Sequence, residues 1–290
     1  MAPYDFLIAP FADFAFMRRA LVATLALSLG CGPVGVILVL RRMSLIGDAM
    51  SHAVLPGAAV GFVIAGLSLW WMSLGGFIAG LLVALLAGLV ARATQLREDA
   101  SFAAFYLIAL ATGVALVSTH GSNVDLMRVL FGTVLAVDDA ALLLVAAIST
   151  VSLLALAAIY RPLVIECFDP GFLSAAGARG GLYHLAFMVL VVVNLVAGFQ
   201  ALGTLMAVGL MMLPATAARF WAREVWPMCL IAVAIGVASG AAGLVVSYHL
   251  NVPSGPAIVM TAGVFYVVSL TAGRHDSLMA RHLPRAHLRA

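Results

Sequence analysis

Asp48 and His52 stand four residues apart in the stretch S-L-I-G-D-A-M-S-H-A-V-L-P-G that fills positions 44–57. That spacing puts both side chains on one face of a helix. The surrounding residues are apolar, and a carboxylate in hydrocarbon costs about 3 kcal/mol, so such a group normally faces a pore, a partner or a cation. A carboxylate oxygen and an imidazole nitrogen, with the Ser51 hydroxyl as a candidate third donor on the same face, suit a borderline divalent ion such as Zn²⁺, Mn²⁺ or Fe²⁺. Pro56 follows one turn later. It has no N–H to offer the His52 carbonyl, a defect tolerated at membrane depth beside protein or a wet cavity. The competing reading is an Asp–His pair that only locks helices together.

The elements that hold these residues must be membrane helices. The chain has 290 residues, of which 64% are hydrophobic and 9% charged, and its mean hydropathy is +1.16. A soluble domain carries about 25% charged residues. All 15 basic residues are arginine, a composition bias from which no function follows. The net charge of +3 would elsewhere suggest nucleic acid. Here the arginines flank apolar segments and serve to orient them, so no nucleic-acid partner is expected. Cys31, Cys167 and Cys229 are widely spaced and odd in number, which gives neither a disulfide framework nor a C-x-x-C clip. Arg18 and Arg19 follow the first apolar residues rather than precede them, so the first helix is expected to remain attached.

Spanning takes about 20 apolar residues. That ruler finds about nine segments, with eight to ten allowed: 16–40, 44–69, 73–93, 101–118, 138–160, 182–199, 202–220, 226–248 and 253–272. The expected fold is an all-α polytopic membrane protein with its permease domain over 1–273 and an Arg- and His-rich tail over 274–290. With the C-terminus in the cytoplasm, twelve arginines lie inside and three (Arg18, Arg19 and Arg128) outside. The reverse orientation would violate the positive-inside rule.

Two connections stand out. The outer one, 120–137, gathers His120, Asn123, Asp125 and Arg128, either a docking surface or an ordinary solvated loop. The inner one, 161–181, interleaves Val164, Ile165, Phe168, Phe172 and Leu173 with charges and is too apolar for a floppy linker. Asp169 as cap, Pro170 at the first position and Gly177 at the end would delimit a short amphipathic helix. Such a helix either docks a soluble partner or lies on the lipid surface.

Four segments together resemble the permeases of ABC transporters that import zinc, manganese and iron. They are L-R-R-M-S-L-I-G-D-A-M-S-H-A-V-L-P-G over 40–57, E-C-F-D-P-G-F-L-S-A-A-G over 166–177, G-T-L-M-A-V-G-L-M-M-L-P-A-T-A-A-R over 203–219 and S-Y-H-L-N-V-P-S-G-P-A-I-V over 247–259. The resemblance implies a homodimeric permease of the cobalamin-importer-like class in the bacterial inner membrane. It implies two copies of a cytoplasmic ATPase and an extracytoplasmic metal-binding protein as partners. Asp48 and His52 carry over as pathway residues. Glu166, Phe168, Asp169, Phe172, Leu173 and Gly177 fall in the segment similar to the family's ATPase-coupling loop. The family commonly has a charged or bulky residue after the proline, where this chain has Gly171. No permanently bound cofactor is expected, only the transported divalent metal, with zinc first and manganese second.

Other signals carry less. Gly30-Cys31-Gly32-Pro33-Val34-Gly35 matches a dinucleotide fingerprint but lies inside a membrane helix, where it favours close packing and a kink. Met206, Met211 and Met212 read as core rather than a copper site. His184 and His249 read as hydrogen-bonded structural histidines, and His275, Asp276, His282 and His287 as a solvated tail. The chain has no lysine and hence no G-x-x-x-x-G-K-[ST] loop, so it is expected not to be an enzyme and to borrow energy from a partner. An ion-coupled carrier should show a matching Asp–His helix in its other half, and an intramembrane metalloenzyme an H-E-x-x-H or other three-ligand set. The sequence has neither.

Overall fold

The computed structural model describes residues 7–66, 68–120, 137–169 and 180–282. Its elements are α1 (Ala9–Asp13), α2 (Ala15–Leu40), α3 (Ser44–Ala65), α4 (Leu69–Ala93), α5 (Glu98–His120), α6 (Asp139–Phe168), α7 (Gly180–Leu202), α8 (Thr204–Ala218), α9 (Val225–Leu250), α10 (Ser254–Ala272) and α11 (Leu278–His282). Among the described residues, eight helices are long and apolar enough to cross a membrane, and α8 is a shorter apolar helix. The all-α polytopic architecture expected from the sequence is therefore present.

Helices α2 and α7 form the centre, with 83% and 72% of their most apolar windows buried. The outer helices leave leucine, valine and isoleucine exposed, as lipid-facing surfaces do. Hydroxyls inside the helices mostly donate to carbonyls of their own preceding turn, as in Thr24 to Ala20, Ser28 to Thr24 and Ser239 to Ile235. This satisfies polar groups that lipid cannot. The glycine-rich stretch of α2 is a packing surface: a Cβ on Gly35 would strike the Met211 carbonyl oxygen, and one on Gly30 would meet Asn194 and Ser149. Asn194 is fully buried and donates to Ser152 Oγ on α6 at 2.8 Å.

Side-chain contacts fix which ends meet. Arg19 at the start of α2 pairs with Asp139 at the start of α6 at 3.1 Å, and Phe14 packs against Tyr248 at the end of α9. At the other end the close of α2 meets the close of α6 and the beginnings of α5 and α7. Alternating crossings follow, with the chain segments before α2 and after α10 at opposite ends.

Three expected boundaries need correction. The connection expected to begin at Arg161 begins after Phe168, because α6 continues through Pro162. Proline removes one helical N–H, but Leu163 is fully buried and Val164 packs on the core beside it, so burial carries the helix through. Asp169 accordingly ends α6, its N–H donating to the Ile165 carbonyl at 2.7 Å. The expected turn after 69 occurs at Gly66, whose φ of 64° suits glycine, and α4 starts at Leu69. The segment expected over 202–220 is helical only over Thr204–Ala218. Gly203, with φ of 93°, turns α7 directly into α8.

Candidate metal pathway

Three residues separate the end of α2 from the start of α3, and this turn places Asp48 and His52 in the first turns of α3. Met43 N–H donates to the Leu38 carbonyl and Arg42 N–H to that of Val39, while Arg42 holds a φ of 58°. These are the paired bonds of a Schellman motif, with arginine where glycine is usual. Hydrogen bonds thus fix the direction in which α3 leaves α2.

His52 Nε2 lies 3.8 Å from Asp48 Oδ1, too far for a hydrogen bond. Two ligands held about 2.1 Å from one ion stand roughly 3 to 3.5 Å apart, so a small side-chain rotation lets both atoms touch a shared cation. The Asp48 carboxylate is 64% exposed and the imidazole 33%. Their contact runs along a single helix and ties no two helices together. His52 Nδ1 is buried without a hydrogen-bond partner among the described residues. The ring stacks on Tyr106 of α5, centroids 6.2 Å apart and planes at 28°. Ser51 is buried and its hydroxyl donates to the Asp48 carbonyl at 2.7 Å, so its proton is committed to the helix backbone. One turn beyond His52, Pro56 is pressed against Gly113 of α5, where an added Cβ would come within 3.1 Å of the Pro56 Cα. Met212 of α8 approaches the backbone at Gly47, beside Asp48. Among the described residues no group of three or more His, Cys, Asp and Glu side chains is arranged to hold a metal. Asp48 and His52 therefore bring one carboxylate and one imidazole together on a single helix face, without a third such group beside them among the described residues.

The other expected site residues separate into two sets. Glu166, Phe168 and Asp169 occupy the end of α6; Phe168 is exposed, while the Glu166 side chain turns inward onto Arg41 at 2.7 Å. Phe172, Leu173 and Gly177 lie outside the described residues, as do 121–136 of the outer loop and His287 of the tail. Met206 and Met211 are buried in the core, consistent with packing. His184 is hydrogen-bonded, as expected, although its acidic partner is the distant Glu98. Tyr106 was not singled out by sequence reasoning, nor was any binding role for Arg41. Tyr106 sits in another apolar helix, and no local pattern points it at His52.

Comparison with known proteins defines the family. The model of the ABC 3 transport family matches residues 13–273. The chain belongs to the ABC 3 transport family. It is accordingly the membrane-spanning, non-catalytic component of an ABC transport system. It is similar to the manganese import system permease protein ScaB of Streptococcus parasanguinis, 34% identical over 257 residues that cover 89% of this chain and 90% of that protein. Among solved structures, a chain of PsaBC from Streptococcus pneumoniae in complex with Fab superposes with a TM-score of 0.84 at 31% identity, covering 94% of this chain and 99% of that one. An inward-facing chain described as a metal-chelate type ABC transporter shares the fold at a TM-score of 0.68 and 15% identity, over 87% of this chain and 84% of that one.

Proposed function

We propose that this chain is the permease of an importer that carries a divalent transition metal, manganese in first place, across the bacterial inner membrane. The observation that carries the reading is the Asp48–His52 pair, an oxygen and a nitrogen donor 3.8 Å apart on an apolar helix that contains Pro56 one turn later. Zinc was the first expectation from sequence; the relative named for manganese import favours the second. The ligand chemistry accommodates manganese, iron and zinc alike. Selection among them then falls largely to whatever delivers the ion, an extracytoplasmic metal-binding protein in this reading.

Two copies of the permease with two ATPases make the working unit, and the C-terminus faces the cytoplasm. Phe168 and the segment up to Gly177 form the ATPase contact. The deciding experiment reconstitutes the permease with its ATPase and its metal-binding protein in liposomes and follows manganese, iron and zinc uptake in parallel. ATP-dependent manganese entry is the expected result. Zinc entry alone would overturn the choice of metal, and entry of none of the three would overturn the function.

A further inference from the structure

We infer that Arg41 is a positioning residue that links both stems of the ATPase-coupling loop to the metal-bearing helix, so that movement of the loop is passed to Asp48 and His52. This rests on the reading of the connection after α6 as the coupling loop.

The guanidinium at the end of α2 uses each of its nitrogens. Nη2 donates to Glu166 Oε2 at 2.7 Å, Nη1 to His184 Nδ1 at 2.9 Å, and Nε to Cys167 Sγ at 3.4 Å. Its carbon lies 5.0 Å from the centre of the Phe187 ring. Because arginine only donates, His184 Nδ1 must accept, which leaves the imidazole proton on Nε2 facing Glu98 Oε1 at 2.8 Å. Glu166 and Cys167 are in the last turn of α6, which enters the loop, and His184 and Phe187 are in the first turns of α7, which leaves it. Glu98 opens α5, the helix whose Tyr106 stacks on His52.

The geometry gives the loop two routes to the metal pair. One passes through Arg41 into the Schellman turn and directly into α3, since Arg41 and Ser44 are three residues apart and the turn between them is held by its own hydrogen bonds. The other passes through His184 and Glu98 along α5. The Arg41 and Glu166 side chains are only 8% and 15% exposed, so water does not loosen the link as it would at a surface ion pair. A planar fork with several fixed donors transmits direction as well as attraction, which lysine cannot reproduce.

The test measures metal entry per ATP hydrolysed by the reconstituted complex carrying Arg41→Gln, Glu166→Gln, or both. Arg41→Gln should still assemble with the ATPase and hydrolyse ATP, while entry per ATP falls tenfold or more. Glu166→Gln should give a smaller loss, and the double variant should be no worse than Arg41→Gln. A purely structural role would instead lower assembly and leave the ratio unchanged in the complexes that form. Entry per ATP within twofold of wild type for Arg41→Gln overturns the inference, as do additive losses in the double variant. Should Arg41→Gln fail to assemble, an unchanged ratio in Glu166→Gln overturns it. Phe168→Asp, measured by ATPase co-purification, separates the underlying reading. Retained ATPase binding in that variant counts against the docking face alone, whereas lost binding together with a coupled Arg41→Gln variant counts against the arginine link alone.

Discussion

An aspartate on a membrane helix ordinarily hides against a partner, yet Asp48 presents most of its carboxylate and leaves His52 within reach of the same ion. Exposure separates its contribution to transport from any to folding. Asp48→Asn and His52→Ala should lower uptake by roughly 100-fold. Asp48→Asn should change unfolding stability by no more than about 0.5 kcal/mol. Uptake and thermal unfolding of the purified variants check both. Tyr106 contacts His52 through its ring face, so Tyr106→Phe should retain transport, while Tyr106→Ala should lower it by roughly 3- to 10-fold through loss of a contact worth about 1 kcal/mol. The Asp–His pair was legible from spacing because a helix alone brings the two residues together. Tyr106, Arg41, Glu98 and His184 were not legible as partners. Their meeting depends on how separate helices pack, and nothing in their local sequence encodes it.

Among the elements, the apolar segments were readable because hydrocarbon thickness imposes a minimum length. The ends were less readable, since core burial around Leu163 outweighed the proline that should have stopped α6. Turns on glycine give the sharpest expectations. Gly203→Ala puts a side chain on a φ of 93° and should destabilise by about 1 to 3 kcal/mol. Gly263, on α10, has open space around its would-be Cβ. Gly263→Ala should be neutral or stabilise by up to about 1 kcal/mol. Thermal unfolding of the two variants side by side provides the comparison, and the opposite order would contradict the backbone argument.

For the molecule as a whole, the expected working assembly is two permeases with two ATPases, in keeping with the two-fold symmetry that closed homo-oligomers most often adopt. Native mass measurement of the solubilised transporter should show that composition, and a fully active assembly with one permease would refute it. Phe168→Asp should weaken ATPase co-purification by about tenfold or more, a loss of about 1.4 kcal/mol. The family and overall fold were legible because motifs and apolar segments run along most of the chain; which helices would meet across a dimer interface was not, because such an interface leaves no local spacing rule. The single-residue turn at Gly203 also bears on how the protein is made. Helix α8 has 15 residues, a rise of about 22 Å against a hydrocarbon layer of about 30 Å. It is too short to settle across a bilayer by itself as it leaves the ribosome, and with no loop before it, it cannot wait outside. The expected route is entry folded back against α7 as a hairpin, so biogenesis should treat the two helices as one insertion unit, and separating them with an inserted loop should strand α8 during synthesis, a loss that protease accessibility of the inserted loop would reveal.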